Sequence, residues 1–345
     1  MTAYDILQTE LRAEPRTWLI TGVAGFIGSY LLETLLLLDQ QVIGLDDYST
    51  GLPRNLDDVR DRVSSEQWKR FKFHEGSVAD MGACREASNN VDYVLHQAGF
   101  ISVPLSIEDP IGCHLTNVTG TLNLLVAVRD NRVRRVIYAS SSAVYGDETT
   151  MPQTELRIGH ARSPYGASKQ MGEIYARQFY LQYGLESVGL RYFNVFGPRQ
   201  SPFGGYAAVI PQWISKCVRG EDCVIHGDGS ITRDFCHVAN VVQANLLAAT
   251  TRQRSVLGEV CNVALGGSTT LSKLHAMIAQ RVEALTSSGL VNAAGNRRAL
   301  RVGAEPLDTF RQYMATFCRE QAYCHFSPAL VRNLEEHWSA HKRRL

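Results

Sequence analysis

The chain has 345 residues and a formal net charge of +1, with 45% hydrophobic and 20% charged residues. This length can bury a large core, and the composition is ordinary for a soluble globular protein. A net charge so close to zero gives no reason to expect a nucleic acid or an anionic membrane as partner. The first residues lack the features of a signal peptide, and the most apolar run, 30–38, is too short to cross a bilayer. We therefore expect a cytoplasmic protein.

Short apolar runs bounded by turn residues alternate with helical patterns through the first part of the chain. The expected strands are 18–21, 41–46, 71–74, 91–95, 133–139 and 187–191, and the expected helices are 26–38, 117–131 and 165–183. This alternation predicts a parallel sheet with helices on both faces, and the continuous apolar strands fit a sheet that is buried on both sides. After Arg191 the pattern becomes irregular and rich in glycine and proline, which is typical of long functional loops.

A glycine-rich segment, 22–28, directly follows the first expected strand and opens the first expected helix. Glycines there permit a tight turn and close approach of the backbone to a pyrophosphate, and the helix N-terminus supplies free N–H groups. Asp46 ends the second expected strand, where a carboxylate accepts hydrogen bonds from ribose hydroxyls. A carboxylate at this position repels a 2′-phosphate, so the pattern favours NAD over NADP. Asp47 strengthens this preference, unless it is simply a solvated loop acid.

Tyr165 and Lys169 are four residues apart on an expected helix and therefore share one face. A free phenol has a pKa of about 10, and a nearby ammonium together with a cationic nicotinamide ring favours the phenolate. Ser141 follows an expected strand, where its hydroxyl can donate to a developing oxyanion beside Tyr165 or merely cap a turn. The three residues together predict a redox centre with a phenolate base.

The eight cysteines are scattered along the chain without a Cys-x-x-Cys pair. In a chain without an export signal, this pattern predicts reduced thiols. His325, His337 and His341 have no ligand spacing with thiol or carboxylate partners. The sequence therefore predicts no metal site.

In their order and spacing, these motifs resemble the extended short-chain dehydrogenase/reductase family, and specifically its nucleotide-sugar 4-epimerases. The matching segments are 21–28, 44–47, 96–98, 140–146, Tyr165 with Lys169, 190–197, 227–229 and 233–235. Within the family the chain looks most like the bacterial UDP-N-acetylglucosamine 4-epimerases. That closer resemblance lies in the amino-terminal extension and in the segments 55–68, 206–211 and 243–250.

The resemblance implies an α/β fold, a doubly wound parallel (Rossmann) sheet with a smaller, interleaved substrate-binding region. It implies an NAD-binding domain formed by 1–191 and 236–264, and a nucleotide-sugar region formed by 192–235 and 265–345, in which 281–345 is atypical. The implied catalytic residues are Ser141, Tyr165 and Lys169. The implied NAD-binding residues are Gly22, Gly25, Phe26, Ile27, Gly28, Asp46, Asp47, Ser77, Val78, Gln97, Ala98, Tyr165 and Lys169. The implied UDP-sugar-binding residues are Ser102, Ser141, Ser142, Tyr165, Asn194, Val209 and Arg233.

Members of this family begin by oxidising C4 of a sugar. The similar 4,6-dehydratases carry an Asp-Glu pair after the catalytic hydroxyl, and the decarboxylases carry a Glu, where this chain has Ser142 and Ala143. The resemblance therefore implies NAD-dependent 4-epimerisation of a UDP-sugar through a transient 4-keto intermediate. The leading substrate is a UDP-N-acetylhexosamine (UDP-GlcNAc/UDP-GalNAc) or its uronate.

The resemblance also implies a homodimer formed by the helices 117–131 and 165–183. Their outer faces are expected to carry Leu124, Val128, Ile174 and Tyr180.

Several positions depart from the family pattern. Ser77 stands where the family usually has an Asp that touches adenine, while Ile101 and Leu105 replace a Gly and an Arg of the N-acetyl-sugar epimerases. A plain hexose or a uronate therefore remains an alternative substrate. The tail with Arg297, Arg298 and Arg301 does not align with the family. Two further alternatives are a catalytically weak nucleotide-sugar or NAD-binding protein and a related dehydratase or decarboxylase.

Overall fold

The computed structural model describes residues 2–201, 208–225 and 227–287, and these form two compact units. The first unit comprises residues 2–193 with Ala239–Val263, and the second comprises the described residues of 194–238 and 264–287. Residues 288–345 of the atypical tail, which include Arg297, Arg298, Arg301, the three histidines, Cys318 and Cys324, lie outside the described residues.

Eleven strands are found in the described ranges. In chain order they are β1 Thr17–Thr21, β2 Gln41–Asp46, β3 Phe71–Glu75, β4 Tyr93–His96, β5 Arg135–Ser141, β6 Glu186–Tyr192, β7 Asn194–Phe196, β8 Thr232–Arg233, β9 Phe235–His237, β10 Glu259–Val263 and β11 Thr269–Thr270. The helices are α1 Ala3–Ala13, α2 Phe26–Leu37, α3 Pro53–Arg60, α4 Ser65–Trp68, α5 Met81–Ala87, α6 Val103–Glu108, α7 Pro110–His114, α8 Gly120–Asp130, α9 Pro164–Tyr183, α10 Val209–Arg219, α11 Val238–Thr250 and α12 Leu271–Ser287.

The first unit is built on a seven-stranded sheet with the order β10-β6-β5-β4-β1-β2-β3, in which all six pairings are parallel. The chain enters at β1, runs outward through β2 and β3, and then crosses back to β4 on the other side of β1. This order is the doubly wound arrangement, so the expected α/β Rossmann fold is confirmed. Trp18, Leu19 and Ile20 in β1 are fully buried, as a sheet covered on both faces requires.

The six expected strands all exist, but the expectation of irregular chain after Arg191 is wrong. Strand β10, which completes the seven-stranded sheet, and the helices α10, α11 and α12 all follow that residue. β10 has the sequence Glu-Val-Cys-Asn-Val, in which polar residues interrupt the apolar run. It therefore lacks the continuous apolar signal of the other buried strands.

The helix expected at 117–131 begins earlier than predicted. α7, a π-helical stretch Leu115–Thr119 and α8 form one continuous helix, Pro110–Asp130. Asp109 accepts a hydrogen bond from Gly112 N, and Pro110 occupies the first turn, where its missing N–H costs nothing.

This helix, rather than the run 30–38, is the described segment most compatible with a membrane span by length and composition. The mean hydropathy of an 18-residue stretch of this helix is 1.3, and 50% of that stretch is buried in the structure. It packs against α5 and α9 of the first unit, which is the position of a core helix.

Two of the four residues expected on an outer helix face lie in the core instead. Leu124 and Val128 are fully buried in the cluster that covers one face of the sheet, whereas Ile174 is 61% exposed and Tyr180 is half-buried. α8 packs against α5, so its apolar stripe faces inward. The exposed apolar residues of this region lie on α6, α7, the π-helical stretch and α9, and they include Ile107, Ile111, Leu115, Met171, Ile174 and Leu181.

The second unit contains two small sheets and a helix pair. β7 pairs in parallel with β9, and β8 pairs antiparallel with β11. α10 and α12 pack together around a core of Phe196, Ile210, Trp213, Ile214, Leu274 and Ile278.

Candidate active site

The glycine-rich segment forms a tight turn between β1 and α2. Gly22 has a φ of +70°, and a Cβ there would lie 2.7 Å from the amide nitrogen of Ala98. A Cβ on Gly28 would collide with the carbonyl oxygen of Gly22. In the part of the chain that the structure describes, no side chain caps the N-terminus of α2, whose N-cap is Gly25. The first-turn N–H groups, including those of Phe26 and Ile27, are therefore available to an anion.

Asp46 lies at the carboxyl end of β2 and holds the same turn. Its carboxylate oxygens accept hydrogen bonds from Ala24 N and Tyr48 N, both at 2.8 Å. Burial raises the pKa of Asp46, and the two backbone hydrogen bonds oppose that rise. Each oxygen retains a further lone pair, so a ribose hydroxyl can also donate to this carboxylate.

Ser77 and Val78 follow β3 on the side of Asp47. Burial acts to raise the pKa of Asp47, but hydrogen bonds from the Ser49 hydroxyl and backbone, and then from the Ser77 hydroxyl, lower it below its ordinary value. Val78 is buried, and a Cβ on Gly120 would lie 2.6 Å from its side chain. Ser77 therefore supports an acid that was predicted to face the cofactor.

The segment after β4 connects the glycine turn to Lys169. Ala98 lies against Gly22, and a Cβ on Gly99 would lie 3.2 Å from Lys169 Nζ. The Gln97 side chain is hydrogen-bonded to Asn245 (3.1 Å) and Tyr192 (3.1 Å). The structure thus brings the two predicted halves of the site together, with Gln97 tied to its neighbours.

Tyr165, Lys169 and Ser141 meet at the carboxyl end of β5. α9 begins with the N-cap Ser163 and Pro164, which places Tyr165 in the first turn and Lys169 one turn later. Ser141 is the last residue of β5, and its hydroxyl is hydrogen-bonded to the phenol of Tyr165. Lys169 Nζ donates to the carbonyl oxygen of Ala139 at 2.9 Å and lies 5.9 Å from the centroid of the Tyr165 ring.

The expected lowering of the Tyr165 pKa by Lys169 is not found in the protein itself. Burial raises the pKa of Tyr165, and the hydrogen bond from Ser141 opposes this rise. Burial lowers the pKa of Lys169 to about 8, partly opposed by Cys113 and Glu173. The ammonium sits in an environment that disfavours charge and is stabilised by the β5 carbonyl.

Two polar networks that the sequence did not predict hold these groups in place. His96 bridges Thr21 (2.7 Å) and Thr121 (3.1 Å), and burial, followed by the charge of Lys169, lowers its pKa to about 3. Asn117 donates to Ser168 Oγ (2.9 Å) on the helix that carries Tyr165. The side chains in each network are widely separated in sequence, so no local motif predicts their hydrogen bonds.

A buried ion pair underlies the same helix. Arg191 Nη2 and Glu173 Oε2 are 2.8 Å apart, and both side chains are at most 10% exposed. Glu173 also accepts a hydrogen bond from Ser140, the neighbour of Ser141. This pair fixes β5, β6 and α9 relative to one another. The sequence motif at 190–197 did not predict that Arg191 forms this ion pair.

The remaining predicted sugar residues take separate positions. Ser102 caps α6 by accepting from Leu105 N at 3.2 Å, and Ser142 opens a short turn after β5. In the second unit, Asn194 donates to the carbonyl oxygen of Asp234 at 3.1 Å, Val209 starts α10, and Arg233 is exposed on β8.

These features fit an NAD molecule. The tight turn accepts only glycine at positions 22 and 28, because a Cβ at either position would collide with backbone atoms. The uncapped start of α2 suits a pyrophosphate, and Asp46 suits a ribose.

A family model described as the NAD dependent epimerase/dehydratase family matches residues 18–264. The chain is 35% identical to a putative UDP-glucose 4-epimerase of Methanocaldococcus jannaschii over 76% of this chain and 82% of the relative. It is 37% identical to a UDP-glucose 4-epimerase of Mycolicibacterium smegmatis over 77% and 82%. The solved structure of a UDP-N-acetylglucosamine 4-epimerase from Methanobrevibacter ruminantium, in complex with UDP-N-acetylmuramic acid, superposes with a TM-score of 0.73, 31% identity and coverage of 89% and 99%.

The fold, the glycine turn and the matched range together define an α/β enzyme class that uses a dinucleotide. The chain belongs to the NAD dependent epimerase/dehydratase family. The expectation of NAD as cofactor is thereby confirmed.

Proposed function

We propose that this protein catalyses the NAD-dependent 4-epimerisation of a UDP-sugar. The observation that carries the proposal is the meeting of Ser141, Tyr165 and Lys169 at the end of β5, on the other side of segment 97–99 from the glycine turn. Similarity to UDP-sugar 4-epimerases over three quarters of the chain supports it.

In the proposed reaction, Tyr165 accepts the proton of the sugar 4-hydroxyl and later returns it, while Ser141 hydrogen-bonds the same oxygen. When bound, NAD supplies the chemistry of taking a hydride from C4 and giving it back. Because burial raises the pKa of Tyr165, its phenolate needs positive charge nearby, and Lys169 provides it on the same helix face. The transient product is a 4-keto sugar that can turn over before reduction.

We further propose that the first unit binds NAD and that residues of the second unit help to bind the UDP-sugar. Arg233 is an exposed guanidinium in a chain of near-neutral charge, which suits a diphosphate. The family resemblance also assigns sugar binding to Ser102, Ser142, Asn194 and Val209. A cytoplasmic location and a homodimer remain parts of this proposal.

For the sugar, we propose a UDP-N-acetylhexosamine or its uronate. Support comes from the similarity to a UDP-N-acetylglucosamine 4-epimerase over 89% of this chain. Ile101 and Leu105 argue for testing other sugars, because both are exposed and apolar where the resembling enzymes have Gly and Arg.

A second candidate is a dehydratase or decarboxylase, since relatives at about one third identity include a UDP-N-acetyl-alpha-D-glucosaminuronate decarboxylase and a dTDP-D-glucose 4,6-dehydratase. Ser142 and Ala143 disfavour it, because neither side chain can act as an acid.

The test is incubation of the full chain with UDP-GlcNAc, its uronate and UDP-glucose, with the products followed by NMR. We expect the C4 epimer of at least one sugar with no loss of water or carbon dioxide. A 4-keto-6-deoxy product or a pentose would favour the second candidate. Tight binding of NAD and UDP-sugars without turnover would instead favour a binding protein.

A further inference from the structure

A cluster of two thiols and one imidazole lies in the second unit. Cys217 is near the end of α10, Cys223 follows in the next loop, and His275 is on α12. The two sulfur atoms and a ring nitrogen of His275 all lie within 4.8 Å of one another. The three residues are half-buried, so the cluster is neither sealed in the core nor spread over the surface.

The spacing of the sulfur atoms is that of two ligands on one metal ion. Cys217 Sγ and Cys223 Sγ are 3.8 Å apart. Two thiolates bound tetrahedrally to zinc, each at about 2.3 Å, are separated by roughly 3.8 Å. For an imidazole nitrogen at about 2.0–2.1 Å from the same ion, the expected sulfur–nitrogen separation is roughly 3.6 Å. The observed upper limit of 4.8 Å therefore requires an adjustment of little more than about 1 Å.

Trp213 fixes two of the three side chains. Its ring packs against His275 edge to face, with centroids 5.6 Å apart and an angle of 87°. Its carbonyl oxygen is the acceptor for the Cys223 thiol at 3.9 Å. Trp213 is itself buried in the core between α10 and α12. The packing of the second unit therefore helps to hold Cys223 and His275 in place.

We propose that Cys217, Cys223 and His275 form a zinc-binding site. Two thiolates and an imidazole form a ligand set that suits zinc, and three protein ligands leave a fourth position for water. On binding, each cysteine loses its thiol proton to solvent, and the two negative charges balance the charge of Zn²⁺. The site links α10, the following loop and α12, so bound zinc stabilises the second unit. The proposal is independent of the function proposed above.

The experiment uses the full-length protein, treated with reductant and chelator and then dialysed. Zinc added alone is expected to bind at one ion per chain, measured by mass spectrometry of metal content, and to raise the thermal midpoint as its concentration rises. Cobalt in place of zinc is expected to give a thiolate charge-transfer band and intense visible bands typical of four-coordinate cobalt. Zinc is also expected to protect two thiols from alkylation.

Cys217→Ser is expected to weaken zinc binding by more than about 100-fold, since loss of a ligand exceeds the effect of an outer-shell change. His275→Gln is also expected to weaken zinc binding. The matched control is the double variant Cys318→Ser/Cys324→Ser, which removes the two cysteines outside the described residues and is expected to bind zinc like the parent.

Three results would overturn the proposal. One is absence of zinc binding and of the cobalt spectrum in the parent protein. Another is zinc binding by Cys217→Ser that is as tight as binding by the parent. A third is a disulfide between Cys217 and Cys223 that persists in the reduced protein, detected as an intact crosslinked peptide. Because the parent protein carries the spectroscopic test, poor folding of a variant cannot mask the answer.

Discussion

The protein surroundings of Tyr165 disfavour its phenolate. Burial raises the pKa of the phenol, the Ser141 hydroxyl works in the opposite direction, and Lys169 is held by the carbonyl of Ala139. Sequence spacing predicted that Tyr165 and Lys169 share a helix face, but it could not predict the cost of burying both. A phenol becomes a base here through the balance between burial and nearby positive charge.

Lys169→Met tests that balance at a single residue. We expect the rate of epimerisation to fall by about 10²–10⁴-fold, because the phenolate loses the ammonium on its own helix face. The residual activity should move to higher pH, since a larger share of phenolate then requires a more alkaline solution. The measurement is a pH profile of kcat/KM beside Lys72→Met, a change at an exposed position on β3. An unshifted profile would contradict the role given to the ammonium.

His96 makes stability depend on pH. Its pKa is lowered to about 3 from an ordinary 6.5, so between these values the folded protein binds fewer protons than the unfolded chain. The free energy of unfolding therefore rises with pH across this window, by about 1.4 kcal/mol per pH unit from this group alone.

His96→Gln should remove that contribution. We expect the difference in unfolding free energy between parent and variant, measured by urea titration from pH 4 to 7, to grow as pH rises. A difference that stays constant with pH would show that His96 does not titrate between the folded and unfolded states in this way.

At the scale of elements, the β1–α2 turn depends on the conformational freedom of glycine. Gly22→Ala is expected to lower the free energy of unfolding by about 1–3 kcal/mol and to weaken NAD binding, because φ is +70° and the new Cβ meets Ala98. The control is Gly267→Ala, where the added Cβ meets open space among the described residues. Calorimetry of unfolding and NAD titration measure the two effects. Equal stability of the two variants would contradict the strain argument.

The elements that could be predicted are those with one dominant local signal. β2 was predicted at its observed bounds because an uninterrupted apolar run follows a turn, while β10 was missed because Glu259 and Asn262 break its apolar pattern. Pro110 resembles a helix breaker in sequence, yet it occupies a first helical turn, where proline is well tolerated. The prediction of an outer face on α8 was also wrong. That face is buried against α5, and this tertiary contact cannot be inferred from the periodicity of the helix alone.

At the scale of the whole molecule, the exposed apolar side chains of α7 and α9 support the proposed homodimer. Ile111, Ile174 and Leu181 are 71%, 61% and 56% exposed. Light scattering at micromolar concentration is expected to give twice the monomer mass, and Ile174→Glu with Leu181→Glu is expected to give the monomer. The control is Leu156→Glu, an equally exposed apolar position outside those helices. A monomeric parent would rule out this assembly.

Sites assembled from distant parts of the chain were the least predictable. The sequence led us to expect no metal site, because Cys217, Cys223 and His275 match no short ligand motif. Their convergence depends on the packing of α10 against α12, in a region where the sequence predicts irregular chain.

The central claim is that Tyr165 is the acid–base residue of a UDP-sugar 4-epimerase. Tyr165→Phe removes the phenolic oxygen and keeps the ring, so the fold and NAD binding should survive, as measured by circular dichroism and by NAD released on denaturation. The most direct measurement is the NMR rate of C4 epimerisation by this variant beside the parent, on each UDP-sugar that the parent accepts. The account predicts that the rate of epimerisation falls by about 10²–10⁴-fold. Epimerisation at nearly the parental rate by a folded, NAD-loaded variant would contradict it.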